Sequence, residues 1–389
     1  LNKRKVVQYN AFMDSTDDDD GHGTHVVGSV VGHKSTDGST ETTGFADGVA
    51  KGAKVAFFDV GQTGTSGLMT PGDISALFNP GRVNGRARLH SASWGTSDNS
   101  YTIDEYNHDT YIHANDDFLV LVAAGNDGMK YICVQPSGRE VDFSIGSPYG
   151  CVDINNNGIY LVEDVVTQNN IANTVGSAAN AKNIVTVGAT ESANGDLSWQ
   201  QNGIAHIADF SSRGPSADGR RKPDILAPGY SILSASSVGT QSGECDPGSK
   251  PTGGSGVYGG ISFMQGTSMA TPVASGSAAL VRQYFIEGWY PTGVKTEGNS
   301  VVPKASLVKA VLLNSGQKMT GARNSDDSVT TTAMYDNNEG YGRINLIKTL
   351  KLNGENTIST LASDEELSAG ASETFTFNVN TGGCTSADL

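Results

Sequence analysis

Short apolar runs recur along the chain, separated by polar, glycine-rich stretches or by longer segments with helical spacing. Residues 6–12, 55–59 (VAFFD), 87–94 (ARLHSASW), 118–123 (FLVLVA), 184–188 (IVTVG) and 224–227 (DILA) read as strands. Residues 22–31, 103–115, 273–285, 306–314 and 343–351 carry patterns suited to helices. Alternation of this kind predicts an α/β fold, a mostly parallel sheet with helices on both faces. Near residue 352 the chain turns polar, and one period-two segment, residues 374–379 (TFTFNV), follows. The pattern predicts a first domain over residues 1–352 and the start of an all-β domain over 353–389. Both ends look cut: the first residues read like the middle of a domain, and the last break off just after a strand.

Composition narrows the function classes. Hydrophobic residues make up 37% and charged residues 17%, a globular balance. Lysine plus arginine number 26 against 41 acidic residues, a formal charge of −15, which argues against nucleic acid or anionic membrane as a partner. The same excess leaves carboxylates available for calcium. No apolar run reaches membrane-spanning length, and no signal peptide opens the sequence. Cys133 and Cys151 bracket one segment, so a disulfide there and an oxidising compartment are expected, in line with a secreted protein; a monomer is expected as well. Free buried thiols are the alternative, and sequence does not choose among the pairings of Cys133, Cys151, Cys245 and Cys384.

Three stretches carry candidate chemistry. In Gly21-His22-Gly23-Thr24-His25 the two imidazoles are spaced like metal ligands, but no adjoining glutamate completes a zinc-protease motif. The flanking glycines suggest close packing around one exposed imidazole, a general base titrating near neutrality. Ala123-Ala124-Gly125-Asn126 ends a strand, where ligand sites of parallel sheets lie. Asn126 there either donates its amide to an oxyanion or makes a turn. Gly266-Thr267-Ser268-Met269-Ala270-Thr271-Pro272 places a serine where a helix begins, with Pro272 suited to the first turn. Ser268 is either an N-cap or a nucleophile flanked by unpaired backbone N–H groups. Together, His22, Asn126 and Ser268 supply a base, an oxyanion donor and a nucleophile.

The blocks GHGTHVVG, SWG, AAGND, FSSRGP, KPDILAPG and GTSMATP resemble the signatures of the subtilisin-like serine proteases, over roughly residues 22–350. The closest resemblance is to the branch of oxidatively stable alkaline proteases, in which a β-sandwich follows the catalytic domain. The resemblance implies that His22 is the catalytic base, Ser268 the nucleophile and Asn126 the side-chain oxyanion donor, with His25 structural. It implies that Ser93, Trp94 and Gly95 pair with an extended peptide substrate. Ala123, Ala124 and Gly125 would wall the pocket for the residue before the scissile bond. A pro-peptide is expected in the parent protein.

Two features depart from that pattern. The family's triad aspartate sits in a strand-end motif some thirty residues before the histidine. Here only 21 residues precede His22, and Asp14 and Asp17 to Asp20 lack the motif. The expectation is a chain inactive by itself and a longer, active parent. The second departure is an insertion, about residues 129–174. It holds Asp153, Asn155, Asn157, Gly158, Ile159 and Asp164 at the spacing of a calcium loop, which predicts a structural Ca²⁺ site; an Asx-rich surface loop is the alternative. The expected activity is that of a serine endopeptidase. A non-catalytic peptide-binding pseudoprotease and a peptide ligase on the same fold are the other readings.

Overall fold

The chain alternates strands and helices through most of its length in the computed structural model, which describes residues 5–15, 21–33, 44, 46–62, 64, 67–134, 140–143, 165–192, 203–237, 256–258, 260–326, 328–363 and 367–376. In order come β1 (Val6–Ala11), α1 (His22–Val31), β2 (Val55–Asp59), α2 (Ile74–Asn79), β3 (Leu89–Ala92), α3 (Ile103–Ala114) and β4 (Leu119–Ala123). The segment after β4 forms β5 (Lys130–Val134), β6 (Glu140–Phe143) and β7 (Val165–Gln168). Then follow β8 (Val185–Thr190), β9 (His206–Ile207), β10 (Ile225–Pro228), β11 (Ile232–Ala235), β12 (Gly256–Tyr258) and β13 (Ile261–Met264). The long helix α4 (Thr267–Ile286), α5 (Ala305–Asn314), β14 (Gly316–Gln317), β15 (Gly321–Arg323), β16 (Val329–Thr330) and β17 (Arg343–Ile344) complete the order.

The main sheet runs β3-β4-β8-β10-β17, all parallel, with β14 antiparallel on β17. Strand β4 shows why the sheet is sandwiched. Leu119 and Leu121 point into a cluster with Ala274, Val281 and Phe285 of α4 and Val308 and Leu312 of α5. Val120 and Val122 point the other way, onto Leu77 and Phe78 of α2 and Tyr111 and Ile112 of α3. Successive side chains of a strand alternate faces, so a continuous apolar run must be covered on both. Every β4 residue is buried, and the expected three-layer α/β arrangement is what forms.

Strands β1 and β2 pair with each other in parallel and with no other strand among the described residues. Strand β3 likewise pairs only with β4. No ladder joins β2 to β3 among the described residues, and each has a single strand partner. The segment after β4 folds into its own antiparallel sheet, ordered β6-β5-β7.

Three expectations need correction. Residues 343–351 are not a helix: Arg343 and Ile344 join the sheet beside β10 and β14, and only Leu346–Lys348 makes a 3₁₀ turn. Hydrogen bonding to two neighbouring strands outcompetes a local helix too short to be stable alone. Pro272 lies in the second turn of α4 rather than the first, because the helix starts at Thr267. The N-cap of α4 is Gly266, with no side-chain cap, so Ser268 is not a capping serine. The alternating segment at residues 374–379 falls partly outside the described residues, and residues 367–376 form no strand.

Candidate active site

The parallel strands β3 and β4 deliver their carboxyl ends to the start of α4. After β3, the hydroxyl of Ser93 donates to the carbonyl oxygen of Ser268 at 2.8 Å. In a regular helix that carbonyl would accept from the N–H four residues on, which here is Pro272 and has none. The proline thus frees the acceptor that ties the serine turn to β3. In return the Ser268 hydroxyl donates to the carbonyl oxygen of Ser93 at 3.1 Å. Among the described residues this hydroxyl makes no bond to His22.

After β4, Asn126 is gripped by one oxygen. Its Oδ1 accepts from the Thr267 N–H at 2.9 Å and the Thr267 hydroxyl at 3.1 Å. Thr267 Oγ1 in turn accepts from the Gly125 N–H at 3.2 Å. With Oδ1 engaged by two donors, the amide nitrogen Nδ2 must face the other way. A Cβ built on Gly266 would stand 3.4 Å from Asn126 Nδ2 and 3.6 Å from the Ser268 nitrogen. The Ser268 N–H lies in the first turn and has no intrahelical acceptor. Asn126 Nδ2 and the Ser268 nitrogen thus both lie close to one small space beside the serine, with Asn126 Oδ1 also 3.6 Å from it, and residue 266, a glycine with φ +143°, leaves that space open.

His22 opens α1, and α1 packs on α4 and on the β11–β13 hairpin. Its neighbour His25 is buried, with Nε2 3.0 Å from the carbonyl of Ile232 and 3.1 Å from that of Ser262. Carbonyls only accept, so Nε2 carries the hydrogen. Burial, opposed in part by these two bonds, lowers the His25 pKa to about 4. The ring is thus neutral and holds helix to hairpin, and the two imidazoles are not a metal pair. Gly28 permits the approach: a Cβ there would lie 2.4 Å from Ser234 Oγ and 2.8 Å from the Ala235 Cβ.

Ser93, Trp94 and Gly95 follow β3, and Ala123, Ala124 and Gly125 end β4 and lead to Asn126. A third segment spans the two: the Gly176 N–H donates to the Ala124 carbonyl at 2.9 Å, and the Ser177 N–H to the Thr96 carbonyl at 3.2 Å. The three segments so joined, the candidate walls and floor of a substrate slot, carry no charged side chain in residues 93–96, 123–126 or 174–177. Asp153, Asn155, Asn157, Ile159 and Asp164 lie outside the described residues, as do Asp17 to Asp20, Cys151, Cys245, Cys384 and the Cys133 side chain. Among the described residues no group of three or more His, Cys, Asp or Glu is arranged to hold a metal, and no helix is long and apolar enough to cross a membrane.

Sequence reasoning missed Thr267, whose only signal is its place between Gly266 and Ser268. It also missed Glu105, although Thr102 and Glu105 have capping-box spacing.

The sequence model of the Subtilase family, Peptidase S8, matches residues 2–342. "Serine protease/ABC transporter B family protein tagB" of Dictyostelium discoideum is 31% identical over 346 residues, 82% of this chain and 18% of that protein. Pyrolysin of Pyrococcus furiosus is 27% identical over 368 residues, 86% of this chain and 21% of its own length. The chain thus spans about a fifth of the length of these curated relatives. Among solved structures, the prenylagaramide maturation protease PagA is similar in fold, with a TM-score of 0.50, 20% identity and coverage of 88% of this chain and 84% of that one.

Proposed function

The chain belongs to the subtilase family of serine proteases, and on that premise we propose that it carries the site of an endopeptidase acting through an acyl-enzyme on Ser268. The observation that carries this reading is that Asn126 Nδ2 and the Ser268 nitrogen both lie close to the space Gly266 leaves open beside the serine. An extended peptide lies along residues 93–95 as an added strand. The Ser268 hydroxyl turns from the Ser93 carbonyl to His22, which takes its proton as Oγ bonds to the scissile carbonyl carbon. The carbonyl oxygen gains the negative charge and accepts from the two donors. The C–N bond then breaks, His22 passes the proton to the leaving amine, and water releases the acyl group by the same steps.

The carboxylate that orients the His22 ring stands, in this reading, on a parallel strand seated between β2 and β3. That no ladder joins those two strands among the described residues supports it. The substrate is protein, and the uncharged slot supports a preference for an uncharged residue before the scissile bond. The reading includes a structural calcium in the 153–164 loop, resting on its donor spacing; chelation is then expected to lower the thermal midpoint, and an unchanged midpoint contradicts it. It also includes a secreted monomer matured from a pro-peptide form.

One observation favours a second reading, a peptide-binding pseudoprotease: the Ser268 hydroxyl is bonded to a backbone carbonyl rather than to an imidazole. Product masses from an extended peptide separate the readings. Hydrolysis fragments are expected with the wild type seated with the added carboxylate strand, only in traces with this chain alone, and not with Ser268→Ala or His22→Ala. Cleavage that survives Ser268→Ala contradicts the proposal, and products joined to an added amine peptide point to acyl transfer.

A further inference from the structure

Helix α3 carries two buried carboxylates one turn apart, Glu105 and Asp109, which bond to the turn after residues 176–177. Glu105 completes a capping box with Thr102: its Oε2 accepts from the Thr102 N–H and, at 2.8 Å, from the Thr102 hydroxyl. Its other oxygen, Oε1, leaves the helix and accepts from the Ala178 N–H at 2.6 Å. Asp109 accepts from the Lys182 and Asn183 N–H groups at 2.7–3.0 Å. The whole 178–183 turn is thus hung on α3.

Ala178 has φ +59°, a left-handed conformation that an alanine adopts only when its surroundings impose it. It directly follows Gly176 and Ser177, whose N–H groups bond to Ala124 on one wall of the slot and Thr96 on the other. The Thr96 and Ser177 hydroxyls are also 2.7 Å apart. This crossbar has no slack: a Cβ on Gly176 would lie 2.0 Å from the Thr96 carbonyl oxygen. Its upstream end is pinned where the Thr174 N–H donates to the Arg213 carbonyl at 2.8 Å. Its downstream end is pinned by Glu105 through Ala178, and by the Asn180 side-chain amide, which donates to the Val175 and Gly176 carbonyls at 3.2 and 3.1 Å.

We infer that Glu105 is a positioning residue for substrate selection: by holding Ala178 left-handed it fixes the crossbar at residues 176–177, and so limits the size of the substrate side chain the slot accepts. This rests on the reading of residues 93–96 and 123–126 as the walls of a peptidase pocket. Glu105 touches no substrate atom. Its carboxylate is ionised, since the bonds from Ala178 and Thr102 outweigh the burial that would raise its pKa.

The test uses the full chain with Ser268→Ala, so that peptides bind without being cut. The probes are fluorescent extended peptides that differ only in one residue, leucine or tryptophan at the slot position, or in a residue two places earlier. Glu105→Leu removes the acceptor at similar volume. Relative to the parent, it is expected to reduce the leucine-over-tryptophan affinity ratio at least five-fold, leave discrimination at the earlier position within two-fold, and be rescued by Glu105→Gln. If Glu105→Leu does not fold, the double variant with Ala178→Gly is read instead, because glycine adopts φ +59° without strain. A slot ratio unchanged within two-fold, or an equal shift at both positions, overturns the role of Glu105 and leaves the site standing. No peptide binding by any form overturns the peptidase reading itself and this inference with it.

Discussion

At the scale of single residues, the site depends on what is missing from position 266 as much as on what is present at 268. Gly266 at φ +143° leaves open the space that Asn126 Nδ2 and the Ser268 nitrogen face. Gly266→Ala fills that space with a methyl group and strains the backbone. Turnover is expected to fall at least as far as removal of the corresponding asparagine lowers kcat in subtilisin itself, roughly 10²–10³-fold, a magnitude that belongs to that enzyme. Steady-state kinetics on a short peptide checks this, and kcat within ten-fold of wild type contradicts it. Thr267→Val tests the orientation of the amide. Without the hydroxyl, Oδ1 keeps only the backbone donor, and a smaller loss in kcat is expected with little change in KM. His22, Asn126 and Ser268 are legible in the sequence because each stands in a small-residue block that leaves one functional group prominent. Thr267 is not, because its contribution is a bond to a residue 141 positions away.

Among the elements, the contact between α1 and the β11–β13 hairpin sets where His22 stands. His25 makes that contact through one N–H shared between two carbonyls. Its folded pKa, about 4, lies below the ordinary 6.5 because burial disfavours the cation. The unfolded chain therefore binds the proton more readily between those values, and stability rises with pH across that window. The full contribution, about 3 kcal/mol, is present above pH 6.5 and is lost as the pH falls toward 4. The gap in thermal midpoint between wild type and His25→Gln should accordingly shift in the variant's favour as the pH falls from 6.5 to 4. A gap that is constant over this range contradicts the assignment. Most elements are legible because long apolar or amphipathic runs dominate them; α1 and β2 fall where the pattern puts them. The helix expected at residues 343–351 does not form, since pairing with β10 and β14 depends on chain brought from far away in sequence. The start of α4 lies six residues ahead of its expected place at residue 273 for a related reason. Pro272 marks a helix start by local rules, whereas here it frees the Ser268 carbonyl for Ser93.

Across the whole molecule, the sheet is interrupted where the site most needs support. Strands β1 and β2 stand as a pair, β3 begins the main sheet, and no ladder joins them among the described residues. A polypeptide that seats a parallel strand there, with a carboxylate at its carboxyl end, is expected to turn over peptide about four orders of magnitude faster than this chain alone. That factor is the effect of the triad aspartate in the serine proteases that define the mechanism. Equal turnover by the two would contradict the proposal. The α/β class and the family blocks are legible at this scale, but the interruption is not, because an unpaired edge depends on which distant segments meet rather than on any local pattern. The central claim is that Ser268 is a nucleophile only in the folded chain. Treatment of the intact chain with a fluorophosphonate, followed by peptide mass mapping, tests it most directly. A single adduct on Ser268 is expected, formed more slowly in His22→Ala and absent after heat denaturation; no adduct, or one elsewhere or indifferent to folding, would contradict it.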